Sequence, residues 1–321
     1  MSAVVDTSSI ATAAHLLGDR AVRDEPLAPM TTYRVGGSAA LFVRARTIDD
    51  LVAVAAARHA TGLAVLVVGR GSNMLVADAG FVGIAVSISD LEGATADAIT
   101  EPGAGGSIVT AGGGVLLPVL ARRTAAAGFT GFEWAVGVPG SVGGAVKMNA
   151  GGHGSDIAAC LVDADVVDLD AAVPVVVTVP VTELGLRFRG SDVGDAQIVT
   201  SARLRLQPGD RAASEATIKE IVRWRLDHQP GGQNCGSVFV NPVPGEVSAA
   251  SLIDGLGLRG LRIGSATVSE KHANFIQAAE GGSAADVRAV IEEVRTRVAA
   301  GTGHLLRSEV RLVGFPDGDV S

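Results

Sequence analysis

The chain has 321 residues, 47% hydrophobic and 19% charged, with a formal net charge of −8 and two cysteines. That length exceeds what one hydrophobic core usually supports, so two or three lobes are expected. No apolar run reaches the 18 residues of a membrane span, the acidic balance disfavours nucleic acid, whose phosphates need clustered Lys and Arg, and Cys160 and Cys235 are too far apart for a zinc pattern or a disulfide framework.

No basic segment followed by an apolar stretch opens the chain, so the expected location is the cytoplasm. Residues 1–30 read as a polar, weakly structured lead-in. TTYRVGGSAALFV, Thr31 to Val43, reads as two strand-like pieces broken by a Gly-Gly pair. Thr47 with Asp50 three residues on opens an Ala-rich helix, LVAVAAARHA, through a capping box. AVLVV, Ala64 to Val68, is a buried strand that delivers the chain into GRGSN. SIVTAGGG reads as strand then turn, and Pro118 sits in the first turn of a helix that stops at Gly128.

Gly128 to Asp156 carries too many glycines for a regular element. Strand patterns return between 160 and 206, in VDADVVDLD and QIVTSARLRL. A second region opens near Ala212 with the helix ATIKEIVRWRLDHQ. Ser283 and Asp286 cap a later helix, whose Val287, Val290, Ile291, Val294 and Val298 form one apolar stripe. The closing LLRSEVRLVGF reads as a strand with Val310 and Leu312 facing one way, Glu309 and Arg311 the other. Helices and strands segregated in this way predict an α+β fold.

Six constellations bear on chemistry. GRGSN, Gly69 to Asn73, is a turn whose glycines present backbone N–H groups to an anion, although such turns also serve backbone geometry alone. No GK[ST] follows, so it is not a P-loop. VGVPGSVGGAVKMNAGG, Val136 to Gly152, is too long an irregular loop to be idle. Together the two loops suit an extended ligand with a diphosphate and a flat ring. RFRGS centres on Arg189, with a solvated strand as the plain alternative. GQNCGSVFVNP places Cys235 and Ser237 in a small-residue turn, and no GxSxG elbow or Ser-His-Asp spacing accompanies them. SATVSEKHANFIQ carries His272, by default a structural histidine, and Glu309 lies between two arginines as a surface ion pair would. The histidines show no metal-ligand spacing, so no metal is expected.

In this order, TTYRVGG, GRGSNMLVADAGFVG, GVPGSVGGAVKMNAGG, RFRGS, GSVFVNP, LRIGSATVSEKHANFI and LLRSEV resemble the UDP-N-acetylenolpyruvoylglucosamine reductase family, from about Thr31 to Gly314. The resemblance implies a two-lobed FAD-binding domain of vanillyl-alcohol-oxidase type over 31–208, split near 90. It further implies an α+β substrate-binding domain over 209–305 and a strand and tail, 306–321, returning to the active site. It implies non-covalent FAD held by Arg34, Gly69, Gly71, Ser72, Asn73, Met74, Gly137, Val138, Pro139, Gly140, Ser141, Gly143, Gly144, Asn149 and Gly151. NADPH would be the co-substrate and a UDP-sugar the substrate, contacted by Asn241, His272 and Asn274, in a cytoplasmic monomer with no nucleic-acid or membrane partner.

The implied catalytic set is Arg189, which stabilises negative charge on an enolpyruvyl carboxylate, Ser237, which donates a proton to carbon, and Glu309, which helps to stabilise or protonate the same intermediate. Phe188 stands where the family usually has tyrosine, and Val240 where many members have lysine. Tyr33 is the chain's one tyrosine, so the shorter subgroup without a tyrosine-bearing loop is the better match. Two rivals stay open on the same flavin domain: an FAD-dependent hydroxy-acid or alcohol oxidase or dehydrogenase, and a non-catalytic flavin-binding homologue.

Overall fold

The computed structural model describes residues 7–93, 97–99 and 107–316. The first lobe runs α1 (Thr7–Leu17), β1 (Ala21–Pro26), β2 (Ser38–Arg44), α2 (Ile48–Thr61), β3 (Val65–Val68), β4 (Met74–Val76) and β5 (Phe81–Ser87). Its sheet has the order β1-β2-β5-β3, with only the β1–β2 pair antiparallel. Thr47 and Asp50 form the expected capping box at α2.

Two expectations are corrected here. Residues 7–26 are a helix and an edge strand rather than a loose lead-in, because Ala13 and Leu17, four apart, are buried in the core with Leu51 and Val54 of α2. Residues 1–6 of that stretch lie outside the described residues. Thr31–Val35 is a buried loop rather than a strand, with Tyr33 and Val35 packed into the core of the third lobe.

The second lobe contains β6 (Asp97–Ile99), β7 (Ser107–Gly112), α3 (Leu117–Ala126), β8 (Phe129–Thr130), α4 (Val142–Met148), and the hairpin of β9 (Gly151–Gly152) and β10 (Ser155–Asp156). It continues through β11 (Leu161–Asp168), β12 (Val176–Pro180), β13 (Gln197–Pro208) and α5 (Arg211–His228). The antiparallel sheet β12-β11-β13-β7-β6 forms its floor, with β8 on the end of β13. The Gly-rich stretch 128–156 is thus more regular than expected. Gly143 N–H donates to Gly113 O at 2.8 Å, and Val142, Ala145 and Val146 are buried, so tertiary contacts hold α4 in spite of its glycines. Ile218 and Ile221 seat α5 in this same core, although its sequence marks the start of the next region.

The third lobe has α6 (Ala249–Gly255), β14 (Arg262–Ile263), β15 (Ala266–Val268), β16 (Ile276–Ala278), α7 (Ala284–Thr302) and β17 (Arg311–Val313). The α7 stripe Val287, Val290, Ile291, Val294 and Val298 is buried in its core. The closing strand is shorter than expected, and it leaves this lobe: β17 pairs in parallel with β4, Arg311 against Met74 and Val313 against Val76. The last residues of the expected tail, 317–321, are outside the described residues. A second tie between the lobes is Asp78, whose carboxylate accepts from the amides of Ala284 and Ala285 and from Ser283 Oγ, at 2.8 to 2.9 Å.

Candidate active site

One cavity lies where the three lobes meet. GRGSN enters it on leaving β3, and its tightest point is Gly71, with φ 62° and a backbone so close to Met30 that a Cβ would sit 2.1 Å from the carbonyl oxygen. Across the cavity stands the Gly137–Ser141 loop, near enough that a Cβ on Gly69 would lie 2.9 Å from Ser141 Oγ. Gly69, Gly71, Ser72, Asn73, Met74, Gly137, Val138, Pro139, Gly140, Ser141, Gly144 and Gly151 all line the wall.

The three expected catalytic side chains open onto the same space. Arg189 is held in a left-handed turn, φ 56°, where its Nη2 donates to Gly151 O at 3.1 Å and its Nε lies 3.3 Å from Glu309 Oε2. RFRGS is therefore a turn and not a solvated strand, bridged between Arg187 and Gly190. Phe188 is exposed, with the Arg189 guanidinium 5.0 Å from its ring centroid. Glu309 and Ser237 are set by one short antiparallel pairing, in which Glu309 N–H donates to Val238 O at 2.7 Å and Val240 N–H to Arg307 O at 2.9 Å. Asn73 joins from the first lobe: its Nδ2 donates to Glu309 O at 2.9 Å, and its own carbonyl accepts from Arg311 N–H at 3.0 Å. Burial pushes the Glu309 carboxyl above its ordinary range, and the opposing charge of Arg189 only partly offsets this.

Six expected contacts lie off the cavity wall. Asn149 is buried behind it, donating to Asp156 Oδ2 and Arg187 O and accepting from Ala158 N–H, so it fastens the hairpin to the Arg189 turn. Asn274 is likewise spent on both backbone groups of Phe239, next to the Ser237 segment. Asn241 accepts from Ala249 N–H at the start of α6. His272 packs edge-on against the cavity residue Phe275, and burial followed by the charges of Arg259 and His228 lowers its pKa. Gly143 is packed against the sheet, and Arg34 sits at φ 53° with its side chain exposed, between the buried Tyr33 and Val35.

The sequence reading missed Lys147, Arg225, Gln229 and Arg311, which also line the cavity. Lys147 Nζ and Arg311 Nη2 share the Asp195 carboxylate at 2.9 Å each. With Arg70 and Arg189, the wall carries five cations against Glu309, a positive pocket in an acidic chain. A readable signal existed for α5. Arg225 continues the spacing of the buried Ile218 and Ile221, so a charge stands where the apolar stripe calls for a hydrophobe.

Glycine-lined walls, excess positive charge and the buried acceptor Gln229 Oε1, which has no hydrogen-bond partner, fit a flat ring on a diphosphate. Fold and site together define a flavin-dependent oxidoreductase. Residues 39–174 match the FAD binding domain family, and residues 228–313 match the UDP-N-acetylenolpyruvoylglucosamine reductase C-terminal domain family. The chain is 40% identical to the UDP-N-acetylenolpyruvoylglucosamine reductase of Synechococcus sp. (strain CC9311), over 92% of this chain and 94% of that one. It is 42% identical to the protein of that name from Nostoc sp., over 90% and 85%. The crystal structure of UDP-N-acetylenolpyruvylglucosamine reductase from Thermus caldophilus superposes with a TM-score of 0.75 at 32% identity, covering 92% of this chain and 99% of that one. The chain belongs to the UDP-N-acetylenolpyruvoylglucosamine reductase family.

Proposed function

We propose that the protein reduces UDP-N-acetylglucosamine enolpyruvate to UDP-N-acetylmuramate with NADPH, a step of peptidoglycan precursor synthesis. The observation that carries this reading is the Arg189–Glu309 pair, 3.3 Å apart, on the same cavity wall as Ser237. A hydroxy-acid oxidase on the same flavin domain also needs a cation for its substrate's carboxylate, but it must remove a proton, whereas a raised carboxyl and a hydroxyl beside that cation are suited to give one. The Gly69–Asn73 and Gly137–Ser141 loops would hold FAD, whose chemistry when bound would be hydride transfer from NADPH to the substrate.

The residues of the chain manage charge and protons. Hydride added at the enolpyruvyl methylene carbon drives an electron pair toward the substrate carboxylate, and the Arg189 guanidinium stabilises it there. The neighbouring carbon then takes a proton from Ser237 Oγ, a weak acid that suffices because a carbanion is a strong base. Glu309, held above the ordinary carboxylate range by burial, lies against Arg189 and assists the same protonation. Asn73, Asn149 and Asn274 act from behind by fixing the backbone of these three segments. The reading includes a monomer in the cytoplasm, checked by size exclusion and cell fractionation.

The test is anaerobic. The yellow protein bleaches with NADPH, and the enolpyruvyl sugar restores its colour; recovery with oxygen alone would favour a hydroxy-acid or alcohol oxidase. In Ser237→Ala the NADPH step stays normal while recovery by the sugar slows by about 10²- to 10⁴-fold. Unslowed recovery removes Ser237 from the mechanism.

A further inference from the structure

The last turn of α5 and the residue that caps it carry two side-chain pairs four residues apart. Trp224 and His228 stack on each other, with ring centroids 4.7 Å apart, and Trp224 is exposed. Arg225 and Gln229, one position on, line the cavity.

The other cavity cations are accounted for. Arg189 faces Glu309, Lys147 and Arg311 share Asp195, and Arg70 is solvent-exposed. Arg225 is partly buried and has no carboxylate partner among the described residues; burial alone lowers its pKa. Its charge lowers the pKa of His153 as well, after burial, so the unbalanced field is local to this turn. Gln229 Oε1 is buried beside it without a hydrogen-bond partner. A half-buried cation next to an orphan acceptor is costly in a resting protein. A resident ligand that presents an electron-rich carbonyl to the cation and an N–H to the amide oxygen removes both costs. The pyrimidine edge of an isoalloxazine, N1, C2=O and N3–H in a row, has that pattern.

We propose that Arg225 and Gln229 hold this edge of the flavin, Gln229 Oε1 accepting from N3–H and Arg225 stabilising the negative charge that two-electron reduction leaves over N1 and C2=O. The inference rests on the flavin reading of the cavity. A bound flavin would take up two electrons with one hydride from NADPH, releasing NADP⁺, and Arg225 would oppose the negative charge that this leaves at the edge it holds. Arg225 thus sets how readily the flavin is reduced, a role apart from proton delivery.

The midpoint potential of bound FAD, read by anaerobic dye equilibration without substrate, tests the Arg225 half. Arg225→Met is expected to lower the stability of the reduced relative to the oxidised form at least tenfold, about 30 mV for a two-electron couple; Arg225→Lys recovers most of it. The Gln229 half is tested on the unaltered protein. Reconstitution with 3-methyl-FAD, which lacks the N3 hydrogen, is expected to be about tenfold weaker than with FAD, the scale of one hydrogen bond with its orphaned partner. An unchanged potential in Arg225→Met, with a raised KM for the UDP-sugar or for NADPH, would assign the pair to a passing substrate and overturn the proposal. Equal affinity for FAD and 3-methyl-FAD overturns its Gln229 half. Apoprotein that takes up no FAD at all fails the flavin reading itself, a separate outcome.

Discussion

Cys235 and Ser237 stand two positions apart, and their surroundings give them different chemistry. Cys235 Sγ is buried, donates toward Met74 O at 3.5 Å and lies 3.4 Å from Thr32 Oγ1, and burial pushes the thiol up to about 12. A thiol so placed has almost no thiolate at neutral pH. Native protein treated with iodoacetamide at pH 8 should therefore keep Cys235 unmodified by intact mass, while denatured protein takes up label; rapid native labelling would contradict the burial. Both residues line the cavity, but Cys235 does so as a buried thiol while Ser237 stands beside Glu309. Replacing Glu309 by Gln keeps its volume but neither its charge nor its acidity, so turnover should fall about 10²-fold with NADPH bleaching intact, as stopped-flow absorbance reads. Equal loss in both half-reactions would mean that the substitution disturbs the flavin site instead. That Arg189, Ser237 and Glu309 belong to one cavity wall was legible in the sequence because each lies in a distinctive motif. Arg225 and Gln229 were not, because a missing partner is a property of three-dimensional surroundings and leaves only the interrupted apolar stripe as a trace.

At the scale of elements, the ladder between β11 and β13 holds a carboxylate made strongly acidic by its arginine partner. Two Arg203 hydrogen bonds, with further ones from Ser201 and Thr178, bring Asp165 down to about 2 from 3.8 against the effect of burial, and Asp163 pairs with the same guanidinium. A depressed acid pKa contributes stability that is present above the unfolded value and lost as pH falls toward the folded one. The contribution should hence vanish between about pH 4 and pH 2, by about 1 kcal/mol for a partly exposed pair. Urea midpoints of the parent and of Asp165→Asn should converge over that window; a constant gap would assign the stabilisation to packing. Asp78 offers a second test. Asp78→Ala removes three hydrogen bonds at the start of α7 and should cost about 1 to 2 kcal/mol in urea unfolding. Helices α2 and α7 were legible because their caps and stripes are local in sequence. Helix α1 was missed because Ser and Thr dominate its first turn, and α4 because two of its seven residues are glycine and its support comes from the strand floor.

At the scale of the whole molecule, three lobes share one cavity, with Gly69–Met74 from the first lobe, Gly137–Gly151 from the second, and Ser237, Glu309 and Arg311 from the third and its returning strand. A ligand there binds the folded arrangement of all three. FAD at about 100 times its Kd should raise stability by about 2.7 kcal/mol and merge the lobes' melting into one transition. Scanning calorimetry on the apoprotein and the reconstituted protein reads both, and an unmoved lobe would lie outside the coupling. The glycine loops were legible because close backbone approach leaves few residue choices, whereas the sharing of cores between lobes has no local signature. The parallel pairing of β17 with β4 has a further consequence. Glu309 and β17 follow the other cavity-lining segments in chain order, so a chain growing from its N-terminus can collapse its lobes before the cavity wall is complete. A product truncated before Glu309 would lack both the strand that pairs with β4 and two charged side chains of the cavity wall.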